Sequence, residues 1–256
     1  MIKTRGRQNR GFTLVELSIV MIIIGLLIGG ILKGQELIEN SKVTSLIQQV
    51  KAIQTAMNIF DDTYKATPGD FNDAVARLPG CTVANYCTNG NGDKKVGTPY
   101  TGGVGLNAKL YSDSETVQFW KHLALADLIT GVSAGANPAA PKLGYTHPKS
   151  PFSSVFEMYY DANIMGQSGN MLRMSLQGLS PTNLDAGDRA AVSPRVAYKI
   201  EKKIDDGNPV KGNVLVWDNG SYGCDNLVTG DVNIVGAQGI DPIAATNSCV
   251  MFFVMK

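Results

Sequence analysis

The chain has 256 residues, 44% of them hydrophobic and 18% charged, with 23 basic against 22 acidic side chains. That length and hydrophobic content suit one sizeable domain plus an anchor and exclude a disordered chain, and a formal net charge of +1 points to neither a nucleic-acid binder nor an acid-rich protein. The balance hides an asymmetry: Lys3, Arg5, Arg7 and Arg10 crowd the first ten positions without an acid, and the remaining 19 basic and 22 acidic residues make the rest mildly acidic.

The basic head leads into an apolar run from Phe12 to Leu32, 21 residues in all. A secretory signal would have a shorter core and a small-residue cleavage site after it, and no A-x-A site follows here. Twenty or so apolar residues in a helix span a hydrocarbon core of about 30 Å. The positive-inside rule then puts the arginines in the cytoplasm and everything after Lys33 on the far side. One carboxylate, Glu16, interrupts the run. A lone acid inside lipid costs roughly 2.5 to 3.5 kcal/mol on insertion scales unless it finds a partner. A cut between Gly11 and Phe12 would create a free α-amino group. In a neighbouring copy staggered along the axis, that amine could reach Glu16, making the acid a register device for stacking identical helices.

With these residues in view, RGFTLVELSIVMIIIGLL resembles the N-terminal signal of type IV pilins and of type II secretion pseudopilins. The resemblance implies that a prepilin peptidase cuts after Gly11 and that Phe12 becomes N-methylated. It further implies that Glu16, five residues into the mature chain, directs assembly.

Beyond the apolar run, Val43, Leu46, Val50, Ile53, Met57 and Phe60 recur at steps of three and four, and no proline occurs before Pro68. This predicts one helix from Phe12 to Tyr64, roughly 80 Å long, whose second half carries an apolar stripe for packing on its own globular domain. The predicted divisions are a cytoplasmic leader over 1–11, a membrane or filament-core helix over 12–32, an amphipathic continuation over 33–64, and a periplasmic domain over 65–256. Gly25, Gly29, Gly30 and Gly34 weaken the apolar half and leave local melting open.

The segment after Tyr64 is punctuated by glycine, proline and asparagine and reads as loops. In SDSETVQFWKHLALADLITG, Ser112 and Glu115 form a candidate capping box, Val117, Trp120, Ala124 and Leu128 share a face, and Gly131 stands at the expected stop. W-x-H-L-A-L-A-x-L-I-x-G, YKATPGDF and NGNGD resemble the globular region of a subgroup of bacterial pilin-like proteins. Strands are predicted in SVFEMYYDANI, MLRMSLQGL, NVLVWD and CVMFFVMK. The stretch SPRVAYKIEKKIDDG fits both periods, but Ser193, Pro194 and Gly207 favour a short helix. The fold class is α+β, a pilin-like long helix across an antiparallel sheet of about four strands.

Four cysteines, all in the part expected to be exported, imply disulfides. Proximity favours Cys81 with Cys87 and Cys224 with Cys249. The second pair would staple the C-terminal region, as in many pilins. Asn89, Asn91 and Asp93 alternate oxygen-bearing side chains like the start of a calcium loop, but Lys94 and Tyr100 break the EF-hand pattern. Calcium and a plain turn both remain open there, and Asp205 with Asp206 reads as a ligand pair or a solvated helix end. His122, among apolar residues, reads as structural, His147 precedes a proline, and no nucleophile, zinc or phosphate-loop motif is present.

The reading is a structural subunit, not an enzyme, that assembles with copies of itself and with other pilins or pseudopilins. Its further partners are a prepilin peptidase and an inner-membrane assembly platform. It would sit in a bacterial inner membrane, head in the periplasm, before joining an extracellular or periplasmic filament. The alternative is a periplasmic enzyme or binding protein on a single-pass anchor.

Overall fold

The structure, a computed structural model, describes residues 12–97, 114–137, 142–175, 191–217 and 249–255. The chain divides into two units, Met1–Ser41 and Lys42–Lys256. Helix α1 runs over Leu14–Tyr64, 51 residues without a break, and so passes straight through its four glycines. It ends where Lys65 turns left-handed at φ 56° and its N–H reaches the Asp61 carbonyl at 2.7 Å. Pro68 shortly afterwards prevents any continuation.

In the second unit, α1 buries Val43, Leu46, Val50, Ile53, Ala56 and Phe60. The predicted stripe is therefore correct except at one turn, where Ala56 faces the core and Met57 lies at its margin.

Four strands form one antiparallel sheet: β1 (Val155–Ile164), β2 (Gln167–Ser175), β3 (Val214–Trp217) and β4 (Val250–Met255), in the order β1-β2-β4-β3. Strands β1 and β2 are joined through Met165 and Gly166, with Ile164 opposite Gln167. Both turn residues have positive φ, 50° and 80°, which matches the twist of the flanking strands. The last strand of the chain sits inside the sheet and buries all six of its residues. It is thus a continuous apolar run without alternation.

One face of the sheet, with Phe156, Met158, Leu172, Met174, Val214, Val216, Met251 and Phe253, shares a core with the second half of α1. Helix α4 (Pro194–Ile204) adds Val196, Ala197 and Ile200 to that core. Ser193 is its N-cap residue, Pro194 opens it, and Gly207 follows its end at φ 85°, as the helical reading required. The opposite face gathers Tyr159, Met171, Leu215, Phe252 and Val254. It also carries an ion pair: Arg173 stands opposite Glu157 in the register and contacts it at 2.6 Å, both side chains buried.

Helix α3 (Ser114–Leu125) is shorter than the sequence suggested. Its stop is Asp127, left-handed at φ 56°, rather than Gly131. The Leu128 N–H closes back on Leu123 O at 3.0 Å and the Asp127 N–H on Ala124 O at 3.2 Å, a Schellman closure. Ser112 lies outside the described residues. Glu115 directs its two carboxylate oxygens to the N–H groups of Asn91 and Gly97, each at 2.8 Å. Two further short elements, α2 (Ala74–Arg77) and a 3-10 turn (Val83–Asn85), interrupt the segment read as loops.

Candidate functional site

The N-terminal end of α1 holds the acid that the sequence singled out. Thr13 precedes the helix and accepts its first backbone bond, from the Leu17 N–H at 3.2 Å. Glu16 Oε2 accepts from the Thr13 N–H at 2.9 Å and from the Thr13 hydroxyl at 3.0 Å. The Glu16 N–H in turn donates to Thr13 Oγ1 at 3.2 Å. Threonine and glutamate three apart thereby form a reciprocal capping box, which satisfies two N–H groups that have no helical partner. The spacing T-x-x-E at Thr13 and Glu16 is the sequence signal of this box, beside the charge that Glu16 carries. Gly11 lies outside the described residues.

Around this cap every large apolar side chain among the described residues of the first unit is open. Phe12 is 89% exposed and Leu26 73%, and Ile22, Ile23, Leu27 and Ile31 are likewise exposed. By length and composition α1 is able to cross a membrane near its N-terminus. Lys33 follows the apolar run and pairs with Glu36 at 2.8 Å.

In the body, Cys81 and Cys87 are joined by a disulfide. Cys249 is disulfide-bonded as well, and Cys224, its expected partner, lies outside the described residues. Among the described residues, the Cys81, Cys87 and His122 side chains form the group of metal-ligating type whose donor atoms fall within 4.8 Å of one another. With both sulfurs bonded to each other, that group offers no thiolate to a metal.

Three motifs far apart in the chain meet at His122. Its Nδ1 accepts from the Gly69 N–H at 3.0 Å, which leaves Nε2 as the donor to Thr88 O at 3.1 Å. The ring stacks on Phe60 with centroids 6.2 Å apart. Burial lowers its pKa to about 4, so the imidazole is neutral. Gly69 is left-handed at φ 87°, and a side chain there would meet the Glu115 carbonyl at 2.5 Å, so only glycine fits.

The neighbouring Asp70 organises the NGNGD loop. Its Oδ1 accepts from Gly92 N at 2.6 Å and Asp93 N at 3.2 Å, and its Oδ2 from Lys94 N at 2.6 Å. Burial lifts this carboxyl above its usual range while the three amides pull it back. The side-chain oxygens of Asn89, Asn91 and Asp93 accept from Val75, Asp93 and Lys95 amides at 2.8, 2.8 and 2.9 Å. All of these oxygens serve as acceptors for backbone N–H groups. Local sequence could not show that Asp70 is the centre, because its partners lie more than twenty residues away.

The second histidine, His147, is buried beside Thr146, whose hydroxyl lies 2.9 Å from Nδ1. Burial lowers its pKa to about 4 also. Lys121, equally buried, donates its ammonium protons to the carbonyls of Asn85, Ala134 and Ala136, tying two loops to α3. These groups clasp loops, and each one's geometry has a structural explanation.

Comparison with known proteins bears on the N-terminus. No curated protein and no solved structure matches the chain. Residues 6–32 match the family model described as the prokaryotic N-terminal methylation motif. The chain thus carries, at its apolar N-terminal end, the signature of type IV pilins and pseudopilins.

Proposed function

We propose that this chain is a prepilin, cut after Gly11, methylated on the new N-terminus of Phe12, and assembled into a helical pilus or pseudopilus filament. The observation that carries the reading is the methylation motif over residues 6–32, coincident with an apolar helix that has no cover of its own. The motif fits a structural subunit processed by a prepilin peptidase, and the helix fits anchoring in an inner membrane with the body on the periplasmic side. Copies of the chain and related pilins are the partners, supplied to the fibre by a membrane platform.

The capping box suggests how Glu16 acts. Before assembly its carboxylate is held by Thr13, which lessens the cost of placing an acid in lipid. Cleavage would put an ammonium on Phe12, and a staggered neighbour could present that cation to Glu16. A charge-assisted bond in a low-dielectric core is stronger than the neutral donors it supplements. Each contact joins different surfaces of two copies, so the assembly grows as an open filament.

The test is Glu16→Ala in cells carrying the assembly machinery. Membrane insertion and processing stay intact while filament yield falls to a small fraction of wild type. Wild-type filament yield from this variant would contradict the mechanism.

A further inference from the structure

The loop NGNGD carries two Asn-Gly steps, Asn89 with Gly90 and Asn91 with Gly92, and its geometry requires both glycines. A side chain at Gly90 would meet the Asp70 backbone at 2.4 Å, and Gly92 is left-handed at φ 83°. The asparagines are in use as well: Asn89 Oδ1 accepts from the Val75 N–H and Asn91 Oδ1 from the Asp93 N–H, each at 2.8 Å. Asn-Gly is also the step at which a peptide chain deamidates most readily, because no side chain hinders attack by the glycine nitrogen on the asparagine amide. The fold therefore places a chemically labile pair twice in one loop, with both asparagines exposed.

The two glycine nitrogens are held in different ways. The Gly90 N–H donates to Phe71 O at 2.9 Å, a main-chain bond. The Gly92 N–H donates to the carboxylate of Asp70, at 2.6 Å from Oδ1, with Asp70 O beside it at 3.1 Å. Asn91 is tied at both ends, its N–H to Glu115 Oε1 at 2.8 Å and its side chain to the Asp93 amide. Cyclisation needs the Gly92 N–H to turn away from Asp70 and the Asn91 side chain to swing onto the Gly92 nitrogen, and each movement breaks one of these bonds. We propose that Asn91 is a conformation-gated deamidation site, closed in the folded loop by the Asp70 carboxylate and reactive when that clasp opens. In the open loop the Gly92 nitrogen loses its proton to water and bonds to Asn91 Cγ, the Cγ–Nδ2 bond breaks, and ammonia leaves with a proton taken back from water. A second water molecule then opens the succinimide at either of its carbonyls, leaving aspartate or isoaspartate without any oxidant or further reagent. Either product puts a new carboxylate on the residue whose N–H holds Glu115, beside Asp93, and isoaspartate also lengthens the main chain by a methylene. Both changes oppose reclosure of the loop, so the modification is a one-way record of its opening.

This inference does not rest on filament assembly. It is tested on the full chain in detergent micelles, incubated at neutral pH in water enriched in heavy oxygen, which labels each carboxyl formed by hydrolysis. Peptide mass spectrometry reads Asn89 and Asn91 separately, and isoaspartate identifies the cyclic route, since direct hydrolysis of the amide gives aspartate alone. Asn91 converts slowly in the folded wild type and about tenfold or more faster in concentrated urea, a ratio set by the opening equilibrium that a hydrogen bond to a charged acceptor controls. Asp70→Asn, which replaces that charged acceptor by an amide, speeds Asn91 by a comparable factor and leaves Asn89, whose glycine is held by Phe71 O, near its wild-type rate. If Asp70→Asn fails to fold, the wild-type comparison between native chain and urea carries the test. Equal rates for Asn91 in the native chain and in urea, a product free of isoaspartate, or equal acceleration of both asparagines in folded Asp70→Asn overturns the proposal.

Discussion

The first half of α1 and the second half are built from the same kinds of side chain and use them differently. In the first, Leu14, Ile22, Leu26 and Ile31 are open. In the second, Val43, Leu46, Val50, Ile53 and Phe60 form a single buried stripe, with Ile47 and Met57 at its margin and most of the remaining positions polar. Full burial of a leucine or isoleucine is worth roughly 1.5 to 3 kcal/mol. The body obtains this from its own core, whereas the large apolar side chains of residues 12–32 are left exposed. A helix that is apolar all round is a component of a larger environment; one with a stripe belongs to its own domain.

The largest effect expected from breaking this contrast is in the body. Phe60 is fully buried against Tyr64, Phe71 and the His122 ring, and Phe60→Ala should destabilise thermal unfolding of the body by about 3 to 5 kcal/mol. Leu26→Ala, in the open half, should leave that transition in place. A similar loss from both would mean that the two halves are not energetically distinct.

An intermediate effect comes from acid. His122 and His147 are held neutral by burial, with pKa values lowered to about 4 from 6.5. Their contribution to stability is complete above pH 6.5 and is lost as pH falls from there through 4, on the order of 3 kcal/mol for each. Glu201, raised to about 7, acts in the opposite sense: its protonation favours the fold, and that contribution is lost as pH rises from 4.5 through 7. Nuclear magnetic resonance of the imidazole carbons should show both rings neutral at pH 5.5. Titration of His122 near 6.5 would show that its bonds to Gly69 and Thr88 are not kept.

The smallest effect is at the cap. Thr13→Ala removes the hydroxyl that bonds Glu16 and should cost about 1 kcal/mol of local helix stability. Amide hydrogen exchange over residues 14–17 in micelles should speed up, with the body unchanged. Unaltered exchange would show that the box does not hold the helix end.

What could be read from the sequence follows the same division. Helix α1 was legible because its period and the absence of proline are local facts, and α4 because Ser193, Pro194 and Gly207 punctuate it. The strands were legible as β-forming runs, although Met165–Gly166 gave no strong hairpin signal, since methionine is not a customary residue for left-handed backbone. Likewise Asp127, rather than a glycine, ends α3, so the stop was placed too late. The clasp at Asp70 and His122 was out of reach for a different reason. Its partners are twenty to fifty residues apart, and TPGDF, NGNGD and W-x-H each look like a loop or a helix face when taken alone. Glu201 was hidden similarly: on a helix rich in charge, nothing in the sequence distinguishes the acid that points inward.

The most direct measurement for the account as a whole is mass spectrometry of the N-terminal peptide of the protein recovered from bacterial membranes. The account predicts a peptide that begins at Phe12 with a methylated amine. A peptide that begins at Met1, or at any residue other than Phe12, would contradict it and favour a simple membrane-anchored protein.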